Sequence, residues 1–130
     1  MAVIDASVWI AWFKKDDMFH EQAKHIIQTL NSNQTISIPA TAFTEVAGAI
    51  KRTTRDNAFA SGAVLYMKGM ELEVFVDFLQ LEPIATKIAI DHSIRGADAY
   101  YLAVAEVTIS NLYTFDKQQQ EAFDTIRKTW

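Results

Sequence analysis

The sequence contains no cysteine. The chain therefore forms no disulfide, offers no thiolate to zinc and has no cysteine nucleophile. This composition is compatible with a reducing compartment, so we expect a cytoplasmic protein. No basic segment followed by an apolar one opens the sequence, which argues against a signal peptide. No apolar run approaches the roughly 20 residues that a membrane span needs, so we expect no membrane association.

Proline and glycine are also scarce, with two prolines and four glycines in 130 residues. No linker, internal repeat or low-complexity tract interrupts the chain. Its length suits one domain with one core, and we treat residues 1–130 as a single domain. Half of the residues are hydrophobic and 22% are charged, which indicates an ordered globular protein and excludes a disordered tail.

Basic residues are outnumbered, because 12 lysines and arginines face 16 aspartates and glutamates and leave a net charge of −4. A protein that coats nucleic acid through its phosphates usually carries a basic face, so this role is disfavoured. A nuclease is less disfavoured, because an acidic metal site lowers the net charge while a local basic rim still binds phosphate. Composition alone does not separate these classes.

Short apolar segments alternate with longer amphipathic ones along the whole chain. We predict strands over 2–4, 35–38, 73–81 and 111–115, and helices over 7–13, 20–30, 39–52, 56–70, 83–92, 97–107 and 117–123. Pro39 and Pro83 are expected to open their helices. This alternation predicts an α/β fold with a mostly parallel sheet of about four to five strands flanked by helices. Functional residues of such sheets lie beyond the carboxyl ends of the strands.

Two aspartates stand at that position. Asp5 follows the first predicted strand, and Asp116 follows the last one in the segment NLYTFDK. Either residue taken singly is more simply explained as the cap of the next helix, where a carboxylate satisfies free N–H groups and meets the positive end of the helix dipole. The repetition of the pattern at two strands favours a shared function.

Two further acids lie on predicted helices. Asp98 shares a helical face with Tyr101 and Leu102, so its charge needs a partner. Glu45 lies beside the apolar stripe of its own helix. The simpler interpretation of Glu45 is a residue at the edge of that stripe with its carboxylate in water. If all four acids meet at one sheet edge, each pair at about 4 Å repels by ~4 kcal/mol. Mg²⁺ or Mn²⁺ relieves such repulsion, and one or two of these ions activate water for displacement at phosphorus.

The segments VIDASVWI, PATAFTEVAGAIKR, IRGADAYYLAVA and YTFDKQ, in this order and at these intervals, resemble the PIN domain. The similarity spans essentially the whole chain and is closest to the VapC-like toxins of type II toxin–antitoxin pairs. It implies a parallel sheet flanked by helices, a Mg²⁺- or Mn²⁺-dependent ribonuclease, and a homodimer that an antitoxin often binds. Gly96 and the short first strand depart slightly from the family pattern. The family's four acids fall on Asp5, Glu45, Asp98 and Asp116, and its two hydroxyl residues on Ser7 and Thr114.

Several other residues have candidate roles. One candidate role for Ser7 and Thr114 is to orient metal-bound water. The simpler interpretation is that their hydroxyl groups bond to the local backbone. The candidates for RNA phosphate contacts are Lys51, Arg52, Arg55 and Arg95, although basic residues also favour a solvated helix end. The three histidines, His20, His25 and His92, are scattered, and we expect surface or capping roles for them. Trp9, Trp12 and Phe13 belong to the core or, where exposed, to a dimer or antitoxin surface.

Two rival interpretations remain open. One is a PIN-like module with a weak metal site that binds or regulates a protein partner, and failure to bind Mn²⁺ would support it. The other is a different α/β enzyme, such as a phosphatase with Asp5 as nucleophile. That chemistry needs an acid two residues further on, where Ser7 stands, and a response regulator needs adjacent acids near the first strand.

Overall fold

The computed structural model describes all 130 residues. Four strands and seven helices alternate along the chain. They are β1 (Ala2–Ile4), α1 (Ala6–Phe13), α2 (His20–Asn33), β2 (Ile36–Pro39), α3 (Thr41–Thr54), α4 (Asn57–Lys68), β3 (Leu72–Phe75), α5 (Phe78–His92), α6 (Gly96–Thr108), β4 (Asn111–Tyr113) and α7 (Lys117–Arg127). None of the helices combines the length and the apolar character that a crossing of the bilayer requires.

The four strands form one sheet in the order β3-β2-β1-β4, and every pairing is parallel. In the register of the sheet, Val3 of β1 lies opposite Ser37 of β2 and Leu112 of β4. The chain runs outward from β1 to β3 on one side and returns to add β4 on the other side. The strand order therefore reverses beside β1, which is where such sheets bind ligands.

Both faces of the sheet are covered. All three residues of β1 are fully buried, and because successive side chains of a strand point to opposite faces, neither face is open to water there. Helix α6 packs against β1, β2 and β4, and α5 packs against α6. Trp9 of α1 is fully buried, and its indole N–H donates to the carbonyl oxygen of Ile4 at 3.2 Å. The predicted α/β fold with a parallel sheet is confirmed.

The third strand is shorter than predicted, because β3 ends at Phe75 instead of continuing to residue 81. The Asp77 side chain accepts a hydrogen bond from the Gln80 N–H at 3.2 Å and so caps a helix that begins at Phe78. Pro83 does not open α5 but lies inside it, where it removes one backbone hydrogen bond. The apolar run was assigned to a strand because its capping aspartate was not recognised.

Pro39 also differs from its prediction, because it is the last residue of β2, opposite Phe75, and α3 begins at Thr41. The pairing of β2 with β1 ends at Ser37, so the missing N–H of Pro39 breaks no bond of that ladder.

Helix α2 continues through the Asn31–Asn33 segment, which was predicted to break it. Ser32 and Asn33 donate side-chain hydrogen bonds to carbonyl groups one turn earlier, at 3.0 and 2.8 Å. Helix α7 extends to Arg127 and β4 ends at Tyr113, shifts of a few residues from the predicted ends.

Candidate active site

Asp5 follows β1 and is the N-cap of α1, with only 3% of its surface exposed. Its Oδ2 atom accepts hydrogen bonds from the Ser7 N–H at 3.1 Å, the Ser7 hydroxyl at 2.7 Å and the Thr114 hydroxyl at 3.0 Å. Its Oδ1 atom is buried and has no hydrogen-bond partner. One carboxylate oxygen therefore caps the helix, while the other is left for a further ligand.

Asp116 occupies the equivalent position after β4. It caps α7 by accepting the Gln119 N–H at 2.9 Å. The two strand ends are joined by hydroxyl groups, because Phe115 N–H donates to the Ser7 hydroxyl at 3.0 Å and Asp116 N–H donates to the Thr114 hydroxyl at 3.0 Å. Thr114 thus bonds to its local backbone, Ser7 bonds to the backbone of the other strand end, and both hydroxyls also hold the Asp5 carboxylate.

Glu45 and Asp98 enter the same region from two helices. Asp98 lies in the first turn of α6, and the Arg95 Nε atom donates to its Oδ2 at 3.2 Å. Glu45 lies in α3, and its Oε1 atom is buried without a hydrogen-bond partner. The fully buried Tyr101 hydroxyl is also unpartnered, and it lies near Glu45 without reaching hydrogen-bonding geometry.

All four predicted acids line one cleft of about 480 Å³ at the carboxyl edge of the sheet. The polar side chains that line it are Asp5, Ser7, Thr44, Glu45, Arg52, Arg95, Asp98 and Asp116. Thr114 does not line the cleft but bonds to Asp5, Ser7 and Asp116, which do. Lys51 and Arg55, two of the four basic residues predicted to contact RNA, do not line it. The Lys51 ammonium instead donates to the Arg55 carbonyl at 3.5 Å, at the end of α3.

Two carboxylates of the cleft, Glu45 and Asp98, resist ionisation. Burial, more than any other cause, raises the pKa of Glu45 to about 7; the Tyr101 hydroxyl opposes the rise, and the charges of Asp5 and Asp98 add to it. Burial also raises the pKa of Asp98, followed by the charge of Asp5, while Arg95 opposes the shift. Arg95 offsets only part of these shifts, so further positive charge at the cleft would favour the anionic form of both carboxyls.

A sequence model of the PIN domain matches residues 2–124 of this chain. The chain belongs to the PIN domain family. A comparison with curated protein sequences gives no match.

Solved structures of two proteins share this PIN fold. The VapC20 toxin of Mycobacterium tuberculosis, described as cleaving the sarcin–ricin loop, superposes with a TM-score of 0.82 at 21% identity over 94% of this chain and 95% of its own. The protein PAE2754 of Pyrobaculum aerophilum superposes with a TM-score of 0.69 at 20% identity over 98% of this chain and 93% of its own. At these identities the similarity establishes the fold.

The donor atoms of this PIN domain fit a hard divalent cation. Buried oxygens without a partner are rare in proteins, and two of them, Asp5 Oδ1 and Glu45 Oε1, belong to carboxylates of the same cleft. Oxygen donors of this kind are the ligands that Mg²⁺ and Mn²⁺ prefer. No three acidic or histidine side chains form a ready-made metal-binding group.

Two residues that contribute to this site were not singled out from the sequence. Tyr101 was noted only as a neighbour of Asp98 on the apolar face of its helix. Gln119 is 1% exposed, and its side-chain amide donates to the Asp98 carbonyl at 3.2 Å while its backbone N–H donates to the capping carboxylate of Asp116 at 2.9 Å. The sequence signal for Gln119 is its place three residues after a capping aspartate, which is where a capped N–H is expected.

Proposed function

We propose that this PIN domain is a divalent-metal-dependent ribonuclease that hydrolyses phosphodiester bonds of RNA. The observation that carries the proposal is the pair of unpartnered buried oxygens, Asp5 Oδ1 and Glu45 Oε1, in a cleft that two more acids line. Such an arrangement is unfavourable in the free protein and becomes favourable when a cation binds. Membership of the PIN family supports the same reaction class.

Asp5, Asp98 and Asp116 would hold the metal directly or through water, and Glu45 would bind a second ion or orient the attacking water. When bound, Mg²⁺ or Mn²⁺ supplies a water of lowered pKa and positive charge against the negative charge that develops at phosphorus. Ser7 and Thr114 fix the orientation of Asp5 through their bonds to Oδ2. They therefore act on the metal site through a carboxylate.

Arg52 and Arg95 provide the basic rim of the cleft. Both side chains are exposed at its edge, where they bind the phosphates that flank the scissile bond. Lys51 and Arg55 extend this basic track along the end of α3. We assign them to phosphates further along the RNA.

We further propose that the nuclease is a cytoplasmic toxin, a homodimer, and a partner of a cognate antitoxin. The VapC20 fold similarity and the motif pattern support this role. A half-exposed aromatic cluster supports a protein interface, because Trp12 and Phe13 pack edge-on against the exposed Tyr66 at 5.3 and 6.1 Å between ring centroids. Aromatic clusters of this kind are enriched at interfaces.

The test is cleavage of a mixed RNA substrate that includes tRNA, by the purified chain in Mn²⁺, in Mg²⁺ and in EDTA. Asp5→Asn and Asp98→Asn are expected to abolish metal-dependent cleavage. Asparagine still caps a helix, so the first variant is expected to stay folded. Asp124→Asn, an exposed acid of α7, is the matched control and should cleave like the wild type.

The second candidate is a catalytically weak PIN-like module that acts through a protein partner. The absence of a ready-made group of three metal ligands favours it. Calorimetric titration with Mn²⁺ decides between the two candidates. Binding that Asp5→Asn and Asp98→Asn weaken supports the nuclease. If the wild type neither binds Mn²⁺ nor cleaves, the regulatory module replaces it.

A further inference from the structure

A second groove adjoins the acidic cleft. It has a volume of about 310 Å³, and the residues that line it are Ser7, Ile10, Asp17, Phe19, Phe115 and Asp116. Ser7, Ile10 and Asp116 also line the acidic cleft, so the two spaces are adjacent and share part of their walls. A strand of RNA whose phosphate lies at the acids has its neighbouring nucleotide at this groove.

Two aromatic rings form one wall of the groove. Phe19 and Phe115 are stacked, with ring centroids 4.7 Å apart and planes inclined by 17°. Phe19 is 36% exposed, although it is a large apolar side chain beside a charged cleft. An exposed, oriented aromatic ring next to a candidate phosphate site is the feature that single-strand nucleic-acid binding surfaces share.

Hydrogen bonds hold both phenylalanines in place. The Phe115 N–H donates to the Ser7 hydroxyl at 3.0 Å, and that hydroxyl also donates to Asp5. The Phe19 N–H donates to Asp17 Oδ1 at 2.8 Å, which fixes the start of α2. Phe115 is thereby linked through Ser7 to the Asp5 carboxylate, and Phe19 stacks on it.

We propose that the Phe19–Phe115 pair is a stacking subsite for an unpaired nucleobase next to the phosphate in the acidic cleft. This inference rests on the proposed ribonuclease function and names the substrate feature that the site recognises. Stacking supplies affinity that does not depend on charge, which matters in a cleft whose acids repel phosphate. Unpaired RNA offers free base faces, whereas a duplex does not.

Asp17 supports a base, and not a phosphate, as the occupant of the groove. Its carboxylate is an acceptor at the groove wall, so it repels a phosphate oxygen. It accepts a hydrogen bond from the edge of a base that carries an amino group, as aspartate does in base recognition. The subsite therefore favours bases with amino groups over uracil.

The test uses short single-stranded RNAs, each with one 2-aminopurine at a different position, whose fluorescence falls when the base stacks. Binding is followed by anisotropy with the wild type in EDTA and with Asp98→Asn in Mg²⁺, so that the RNA stays intact. Phe19→Leu keeps an apolar side chain on Phe115 but removes the aromatic face, and Phe19→Trp restores one. Trp130→Leu removes an exposed tryptophan that lines neither space and is the control.

With the wild type we expect quenching at one RNA position. Phe19→Leu should bind RNA roughly tenfold more weakly and show no quenching. Phe19→Trp should restore both the binding and the quenching. In cleavage assays Phe19→Leu should raise KM while leaving kcat largely unchanged. If Phe19→Leu binds RNA and quenches the fluorescence as the wild type does, the subsite is overturned, whatever the melting temperature of the variant. The nuclease proposal would then remain intact. Quenching without cleavage in any metal would support the subsite and contradict the nuclease. A wild type that binds no RNA would overturn both.

Discussion

At the scale of single residues, the two oxygens of the Asp5 carboxylate have different roles. Oδ2 accepts three hydrogen bonds, and Oδ1 accepts none although it is buried. The capping bond and the two hydroxyl bonds fix the rotamer, so Oδ1 is presented in one orientation. A cap and a metal ligand are therefore compatible in one aspartate, because they use different atoms.

Tyr101 provides a residue-scale prediction, because its buried hydroxyl lies near Glu45 and lowers the pKa of that carboxyl. Tyr101→Phe removes this effect, so the pKa of Glu45 should rise further and the anionic form should require a higher pH. We expect the rising limb of the pH–rate profile for RNA cleavage to move to higher pH.

Tyr100→Phe is the matched control for that prediction, since Tyr100 neighbours Tyr101 in α6 but packs edge-on against Phe78 at 5.3 Å between ring centroids. Its pH–rate profile should coincide with that of the wild type. An unshifted profile in Tyr101→Phe would show that the hydroxyl does not act on Glu45.

At the scale of secondary-structure elements, three helices end in a left-handed residue that is not glycine. These residues are Arg55 after α3, Ser93 after α5 and Ile109 after α6. Ile109 is the most strained of them, because a β-branched side chain at φ 49° crowds its own backbone. Burial of the Ile109 side chain compensates little for this strain, since the residue is 70% exposed.

Ile109→Gly should therefore stabilise the protein. Relief of the left-handed strain is worth about 1–2 kcal/mol, and the greater freedom of glycine in the unfolded chain offsets about 0.5–1 kcal/mol of it. We expect the free energy of unfolding, measured in urea, to rise by up to about 1 kcal/mol. Val107→Gly, two residues earlier and still helical, should lower it by about 1 kcal/mol, and equal effects of the two variants would rule out the strain argument.

The same elements show what the sequence could predict. The order of strands and helices follows from apolar periodicity, and the placement of Asp5 and Asp116 at one sheet edge follows from aspartates after strands. The β3 and α5 boundary does not, because residues 74–81 are mostly apolar and only the Asp77 cap marks the change. The stacked Phe19 and Phe115 were also not predictable, because their contact joins residues that lie far apart in the chain.

At the scale of the whole molecule, the carboxylates are unevenly distributed. Most charged side chains are solvated, and only two ion pairs form, Lys87 with Asp91 and Arg95 with Asp98. The acids of the cleft are instead gathered where burial raises the pKa values of Glu45 and Asp98. The folded chain therefore binds more protons at this site than the unfolded chain near neutral pH, and the site makes its stability depend on pH.

The direction of that dependence follows from the raised pKa values. Glu45 has a pKa of about 7 in the folded protein against its ordinary value of 4.5, so its contribution to stability is complete below pH 4.5 and is lost as the pH rises through 7. Since Glu45 is only partly buried, solvent screening limits the loss to roughly 1–2 kcal/mol. In EDTA, the melting temperature of the wild type should fall by several degrees between pH 5 and pH 8.

Glu45→Gln should flatten the dependence of the melting temperature on pH, because glutamine does not titrate. Glu73→Gln removes the same charge from an exposed position of β3 and should leave that dependence unchanged. Mg²⁺ or Mn²⁺ should reverse the trend in the wild type, since a cation that binds the anionic carboxylates stabilises the folded chain more as protons leave. Thermal melts at matched ionic strength separate this effect from salt screening. The contrary outcome is a melting temperature in EDTA that rises from pH 5 to pH 8 in the wild type and in Glu45→Gln alike. Ionisation of Glu45 would then not destabilise the folded chain, and the physical basis for a metal at this site would be lost.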